Sequence, residues 1–157
     1  MPYKVGLVLT VILFFITLAL STPAQGLRTS VKPIVVTPVS AALIDFEQKA
    51  TRLNYLSETD AFVSSYAAPL AANVLTIEEF RRVNLTASSV PITEVDFEEW
   101  VGRQSNYDNR WLTMYNSLQG QLGDVHLYRV GNIQIQYYAV GLLGGRLIGI
   151  RTFSIET

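Results

Sequence analysis

The chain has no cysteine and a single histidine, His126. Without cysteine there is no disulfide and no thiolate nucleophile or metal ligand, so the fold must stand on core packing alone. A lipoprotein is excluded as well, because that route needs a cysteine at the processing site. One histidine cannot build a His-Glu-x-x-His zinc motif, and neither Gly-x-Ser-x-Gly nor P-loop spacing occurs. Charge is sparse too: 12 basic and 13 acidic side chains in 157 residues give a net charge of −1. The basic residues form no stripe and the acidic ones no run, which argues against a nucleic-acid surface and against broad polyanion mimicry. A partner would have to be recognised through a local site.

Apolar residues, by contrast, make up 49% of the chain, and many lie at its start. Lys4 precedes Val5 to Leu20, a run without a charged side chain, and Ser21-Thr22-Pro23-Ala24 follows. Charge, apolar run and small-residue exit are the layout of a secretory signal, with processing expected after Ala24. The run falls slightly short of the roughly 20 residues that span a bilayer. A retained anchor and a buried core helix are the competing readings. Residues 25–40 carry Pro33 and Pro38 without a clear period and read as an extended linker. The domain itself is expected over 41–157.

Within it, Ser40 is placed to cap a helix over 41–54, with Leu43, Phe46, Ala50 and Leu53 on one face. Leu56-Ser57-Glu58-Thr59-Asp60 is a polar loop, and a strand from Ala61 to Ala67 is stopped by Pro69. Thr76-Ile77-Glu78-Glu79 and Asp96-Phe97-Glu98-Glu99 have capping-box spacing. They predict short helices from Ile77 to about Val83 and from Asp96 toward Val101, with a strand over Ile92–Val95 between them. A loop over 102–109 leads to a third helical face marked by Trp111, Tyr115, Leu118 and Leu122, stopped near Gly120 and Gly123. Three strands close the chain: Val125–Val130, Asn132–Val140 and Arg146–Ile155. In the second, Ile133, Ile135, Tyr137 and Ala139 alternate with polar residues, and Leu142-Leu143-Gly144-Gly145 is the expected hairpin turn. Helices first and a meander last predict an α+β fold or a layered α/β sandwich.

Catalytic chemistry finds little support. His126 sits in a strand pattern and reads as structural. The acidic pairs at 78–79 and 98–99 lie at helix starts, where negative charge suits the dipole. Adjacent helical residues do not face one another, so neither pair makes an acid/base dyad. Asn84-Leu85-Thr86 matches a glycosylation acceptor, a tripeptide common by chance. Trp100, Tyr107 and Trp111 bracket an Asn/Asp/Arg-rich loop and are candidates either for the core or for an interface.

The C-terminal segments Val125-His-Leu-Tyr-Arg-Val-Gly131, Ile133-Gln-Ile-Gln-Tyr-Tyr-Ala-Val-Gly141 and Leu147-Ile-Gly-Ile-Arg-Thr-Phe-Ser-Ile-Glu-Thr157 resemble those of the nuclease A inhibitor family. Leu56-Ser57-Glu58 before a strand, and Val95-Asp96 before an aromatic-containing helix, fall in the same order. The resemblance covers residues 43–157 and leaves the export segment outside it. It implies a three-layer α/β/α sandwich of the pathogenesis-related type, without catalytic activity or cofactor, that inhibits a metal-dependent, sugar-nonspecific DNA/RNA endonuclease. It also implies partner-binding roles for Glu58, for Thr157 through its terminal carboxylate, and for a mid-chain tryptophan. Trp111 corresponds best to the last, with Tyr107 and Trp100 as alternatives. The target's metal and arginines would attract the two carboxylates. A cell-envelope interaction domain of the same fold, with no nuclease target, is the second expectation; a hydrolase pairing Glu58 with His126 is the third.

Overall fold

The computed structural model describes residues 36–57 and 61–155. The expected export segment, residues 1–24, lies outside them. Among the described residues no helix is long and apolar enough to cross a membrane.

The first helix, α1 (Pro38–Ala50), begins earlier and ends earlier than its apolar period suggests. Thr37 is the true N-cap, its hydroxyl accepting from the Ser40 amide at 3.2 Å, and Pro38 opens the helix where no backbone donor is needed. Ser40, expected as the cap, therefore sits inside the helix and donates its hydroxyl back to the Thr37 carbonyl at 2.9 Å. Ala42, Phe46 and Ala50 form the buried face.

Two very short strands follow, β1 (Asn54–Tyr55) and β2 (Ala61–Phe62), paired antiparallel with Asn54 opposite Phe62 and Tyr55 opposite Ala61. The single strand expected over 61–67 is thus divided. Buried Val63 separates β2 from β3 (Ser64–Pro69), which joins a different sheet.

Helix α2 (Ile77–Val83) and helix α3 (Phe97–Ser105) start where their capping boxes place them. Thr76 Oγ1 accepts from the Glu79 amide at 3.2 Å, and Asp96 Oδ1 accepts from the Glu99 amide at 2.7 Å. Between them lies β4 (Ile92–Val95). Helix α3 continues through the start of the loop expected over 102–109, because Val101 and Gln104 extend its buried face by another turn. Helix α4 (Arg110–Leu122) buries Trp111, Met114 and Leu118, runs through Gly120 and ends at Gly123.

The meander comprises β5 (His126–Val130), β6 (Gln134–Leu143) and β7 (Arg146–Ile155). Together with β3 and β4 it forms a five-stranded sheet, all antiparallel, in the order β3-β7-β6-β5-β4. The β6–β7 turn is only Gly144-Gly145, at φ 57° and 72°, the left-handed pair that a two-residue hairpin of the I′ kind requires. Leu142 and Leu143 still belong to the strand. Ile133 precedes β6 and is 68% exposed, so the inward alternation begins at Ile135.

Both sheet faces bury apolar side chains. Ile135, Tyr137, Ala139, Ile148 and Ile150 pack with Phe46 of α1, Trp100 of α3 and Trp111 of α4. Tyr128, Val130, Tyr138, Val140 and Leu147 pack with Phe80 of α2 and with Leu70 and Leu75. The class is mixed α+β.

Polar contacts tie the parts together. Burial alone would raise the Asp45 pKa, but hydrogen bonds from Lys49, Ser117 and Gln121, with the Lys49 charge, hold it below the usual range. Asp45 thereby links α1 to α4, accepting from Gln121 Nε2 at 2.7 Å and from the Ser117 hydroxyl. Glu47 Oε2 accepts from the Ser65 amide at 2.9 Å and so occupies a backbone donor on edge strand β3. Hydrogen bonding from the Ser65 side chain, and then from its amide, lowers the Glu47 pKa.

Candidate site on the β1–β2 hairpin

Glu58 and Thr157, the two expected carboxylates, lie outside the described residues. The hairpin stem that leads into and out of residues 58–60 is described, and three other elements hold it. Trp111 of α4 donates its indole N–H to the Asn54 carbonyl at 3.2 Å. Gln104 of α3 accepts from the Leu56 amide through Oε1 at 3.3 Å. Thr152 of β7 donates its hydroxyl to the Phe62 carbonyl at 3.1 Å. One strand of the stem is therefore fixed to two helices and the other to the C-terminal strand.

Aromatic packing supports the same stem from below. Tyr55 of β1 stacks on Trp100 with ring centroids 5.4 Å apart and lies 5.4 Å from Tyr137. Trp100 meets Trp111 edge-on at 5.1 Å.

These contacts place Trp111 in the core. Its side chain is 1% exposed and presents no surface to a partner in this fold. Trp100 is buried as well. Tyr107, the third candidate, is 73% exposed. It lies two residues after the end of α3, and its amide donates to the Gln104 carbonyl at 3.1 Å, so its backbone is anchored to the residue that holds Leu56. The loop is stiffened on its other side by Asp108, which accepts from the Arg110 amide at 3.0 Å and from Arg110 Nε at 2.9 Å. Hydrogen bonding by Arg110 pulls the Asp108 carboxyl below its ordinary range.

Sequence reasoning singled out neither Gln104 nor Thr152. A glutamine late in a helix and a threonine in a strand carry no local signal; only their burial, with Gln104 at 7% exposure, marks them. Phe62 went unremarked as well, although it stands 81% exposed. With Phe153, Arg151 and Gln136 it lines a shallow cavity of about 340 Å³ beside β7.

The remaining candidates meet partners within the domain. His126 Nδ1 lies 2.6 Å from Glu94 Oε1 and Nε2 lies 3.3 Å from Asp124 Oδ2, so both ring nitrogens face carboxylates of their own neighbourhood. His126 pairs in register with Val140, toward the far end of β6 from Gln134, whereas Phe62 bonds to Thr152, which pairs with Tyr137. The acidic pairs serve helix starts, where Glu79 meets Arg82 and Glu99 meets Arg103. Asn84 closes α2: its Nδ2 donates to the Phe80 carbonyl at 2.9 Å and its Oδ1 accepts from the Tyr66 hydroxyl at 2.7 Å. Those bonds occupy the amide that a glycan would need. Among the described residues no group of histidine and carboxylate side chains could hold a metal ion.

No curated protein matches the chain. The family model for nuclease A inhibitor-like protein (NuiA) matches residues 40–157, which spans every described strand and nearly all of α1. The chain belongs to the nuclease A inhibitor-like family.

Proposed function

We propose that this protein is an exported inhibitor of a metal-dependent, nonspecific DNA/RNA nuclease, built as a three-layer α/β/α sandwich of the pathogenesis-related type. Glu58 and the terminal carboxylate of Thr157 enter the target's active site, where divalent metal and arginines favour hard anionic oxygens. The exposed ring of Tyr107 supplies the aromatic anchor in place of buried Trp111. Family membership supports the inhibitory role.

The observation that carries the two-carboxylate reading is the bond between Thr152 and Phe62. Glu58 lies four residues before Phe62 and Thr157 five after Thr152. At no more than about 3.6 Å per residue, each is within roughly 18 Å of that junction along the chain. Tethers of that length let both carboxylates reach a single active-site mouth, and a net charge of −1 is no obstacle when only a local negative patch is needed.

Titration of a secreted nonspecific nuclease with the purified protein tests the proposal. Stoichiometric loss of activity is expected. A folded sample that leaves the nuclease fully active at micromolar excess refutes it. Glu58→Ala, or one residue added after Thr157, should weaken inhibition by about 2–5 kcal/mol if the carboxylate meets a buried charged partner. Binding to an envelope protein that survives both changes would favour the interaction-domain reading instead. Export is tested separately: the mature protein from cells should begin at Gln25 by mass.

A further inference from the structure

We infer that Gln104 and Trp111 are positioning residues of the inhibitor: they set the β1–β2 hairpin and act on the partner only through it. The inference rests on the inhibitory reading of Glu58 and identifies what prepares that loop for binding.

The stem is too small to define itself. It has two residue pairs, Asn54 with Phe62 and Tyr55 with Ala61, and a two-stranded ribbon of that length has little stability alone. Its geometry must come from outside. Gln104 and Trp111 take the Leu56 N–H and the Asn54 C=O, backbone groups two residues apart on the same strand. Both side chains are buried, both come from helices, and their partners lie 48 and 57 residues away in sequence. Replacing either would take the protein partner from the Leu56 amide or the Asn54 carbonyl, on stem residues that are themselves exposed, so the stem would shift or fray. Neither bond joins two strands of the five-stranded sheet. The expected consequence is weaker inhibition from a protein that remains folded, because a loop that must be ordered during binding lowers affinity.

Gln104→Met keeps the side-chain length and removes the acceptor; Trp111→Phe keeps an aromatic ring and removes the donor. Each should weaken inhibition of the nuclease about fivefold, the scale of one such hydrogen bond. In native-state hydrogen exchange the Leu56 amide should exchange faster in Gln104→Met, while amides of β6 and β7 keep their protection. Gln104→Glu, which retains an acceptor, should recover much of the inhibition.

The deciding measurement is a cycle with Glu58→Ala. If Gln104 works through the loop, Gln104→Met costs little further inhibition once Glu58 is gone. An equal loss in both backgrounds, or unchanged inhibition despite faster Leu56 exchange, overturns the inference and leaves the inhibitory reading standing. Glu58→Ala inhibiting as well as the wild type removes the carboxylate reading, and the positioning role toward it falls too. Should Gln104→Met fail to fold, Trp111→Phe completes the same cycle.

Discussion

Trp111 shows how one side chain can serve a surface without reaching it. Its ring fills the core against Trp100, and its N–H fixes the Asn54 carbonyl of the hairpin stem. Both tryptophans of the chain are buried. Their fluorescence should therefore resist acrylamide quenching in the free protein and change little on binding a partner. Strong quenching that the partner abolishes would place an indole at the interface and contradict this account. Tyr107→Ala, by contrast, should weaken inhibition roughly tenfold, the effect of losing a moderate aromatic anchor. Gly149 is a second residue with one decisive requirement. A Cβ there would lie 2.0 Å from the Ala139 carbonyl oxygen on the neighbouring strand. Gly149→Ala should destabilise the fold by about 1–3 kcal/mol in urea titrations, since β6 and β7 must move apart to admit the methyl group.

Among the elements, the helices differ in what holds their ends. The Asp96 cap on α3 is local, and Asp96→Ala should cost about 1 kcal/mol. Helix α1 is tied sideways as well, through Asp45 to Ser117 and Gln121 of α4 and through Glu47 to β3. Asp45, Glu47 and Asp108 all have folded pKa values below their ordinary ones. A depressed carboxyl pKa means the folded state binds the proton less readily than the unfolded chain does. The resulting stability is present above the ordinary values of 3.8 and 4.5 and is lost as pH falls through the lower folded values. The urea midpoint should hold near neutral pH and drop below about pH 4. Asp45→Asn, which removes one of these groups, should flatten that acid limb.

At the scale of the whole molecule, the sheet is buried on both faces and the small hairpin is held at its margin. Phe80 is fully buried against Tyr128 and Tyr138 on the face opposite Trp100 and Trp111. Phe80→Ala should cost about 3–5 kcal/mol, measured by chemical unfolding, as for a large aromatic removed from a packed core. Such a loss would fall on the body of the domain, unlike the local loosening expected from Gln104→Met.

The capping boxes at Thr76 and Asp96, the Gly144-Gly145 turn and the three closing strands were legible in the sequence because each depends on residues a few positions apart. The class α+β followed from their order. What holds the strand Asn54–Tyr55 could not be read from composition. Whether Trp111 faces a partner or the core depends on α4 meeting β1, 57 residues away, and a helical period reports only that the ring shares a face with Tyr115 and Leu118. Tyr137 to Val140 shows the same limit, since consecutive apolar residues on a strand reveal burial on both sides only once helices cover both faces. The sequence by itself determined the absence of disulfides, the turns, the caps and the carboxylate available at 58, all matters of local chemistry. Tertiary structure alone decided that Trp111 and Gln104 hold the hairpin while Tyr107 stays at the surface, because contacts between distant segments exist only after the chain has packed.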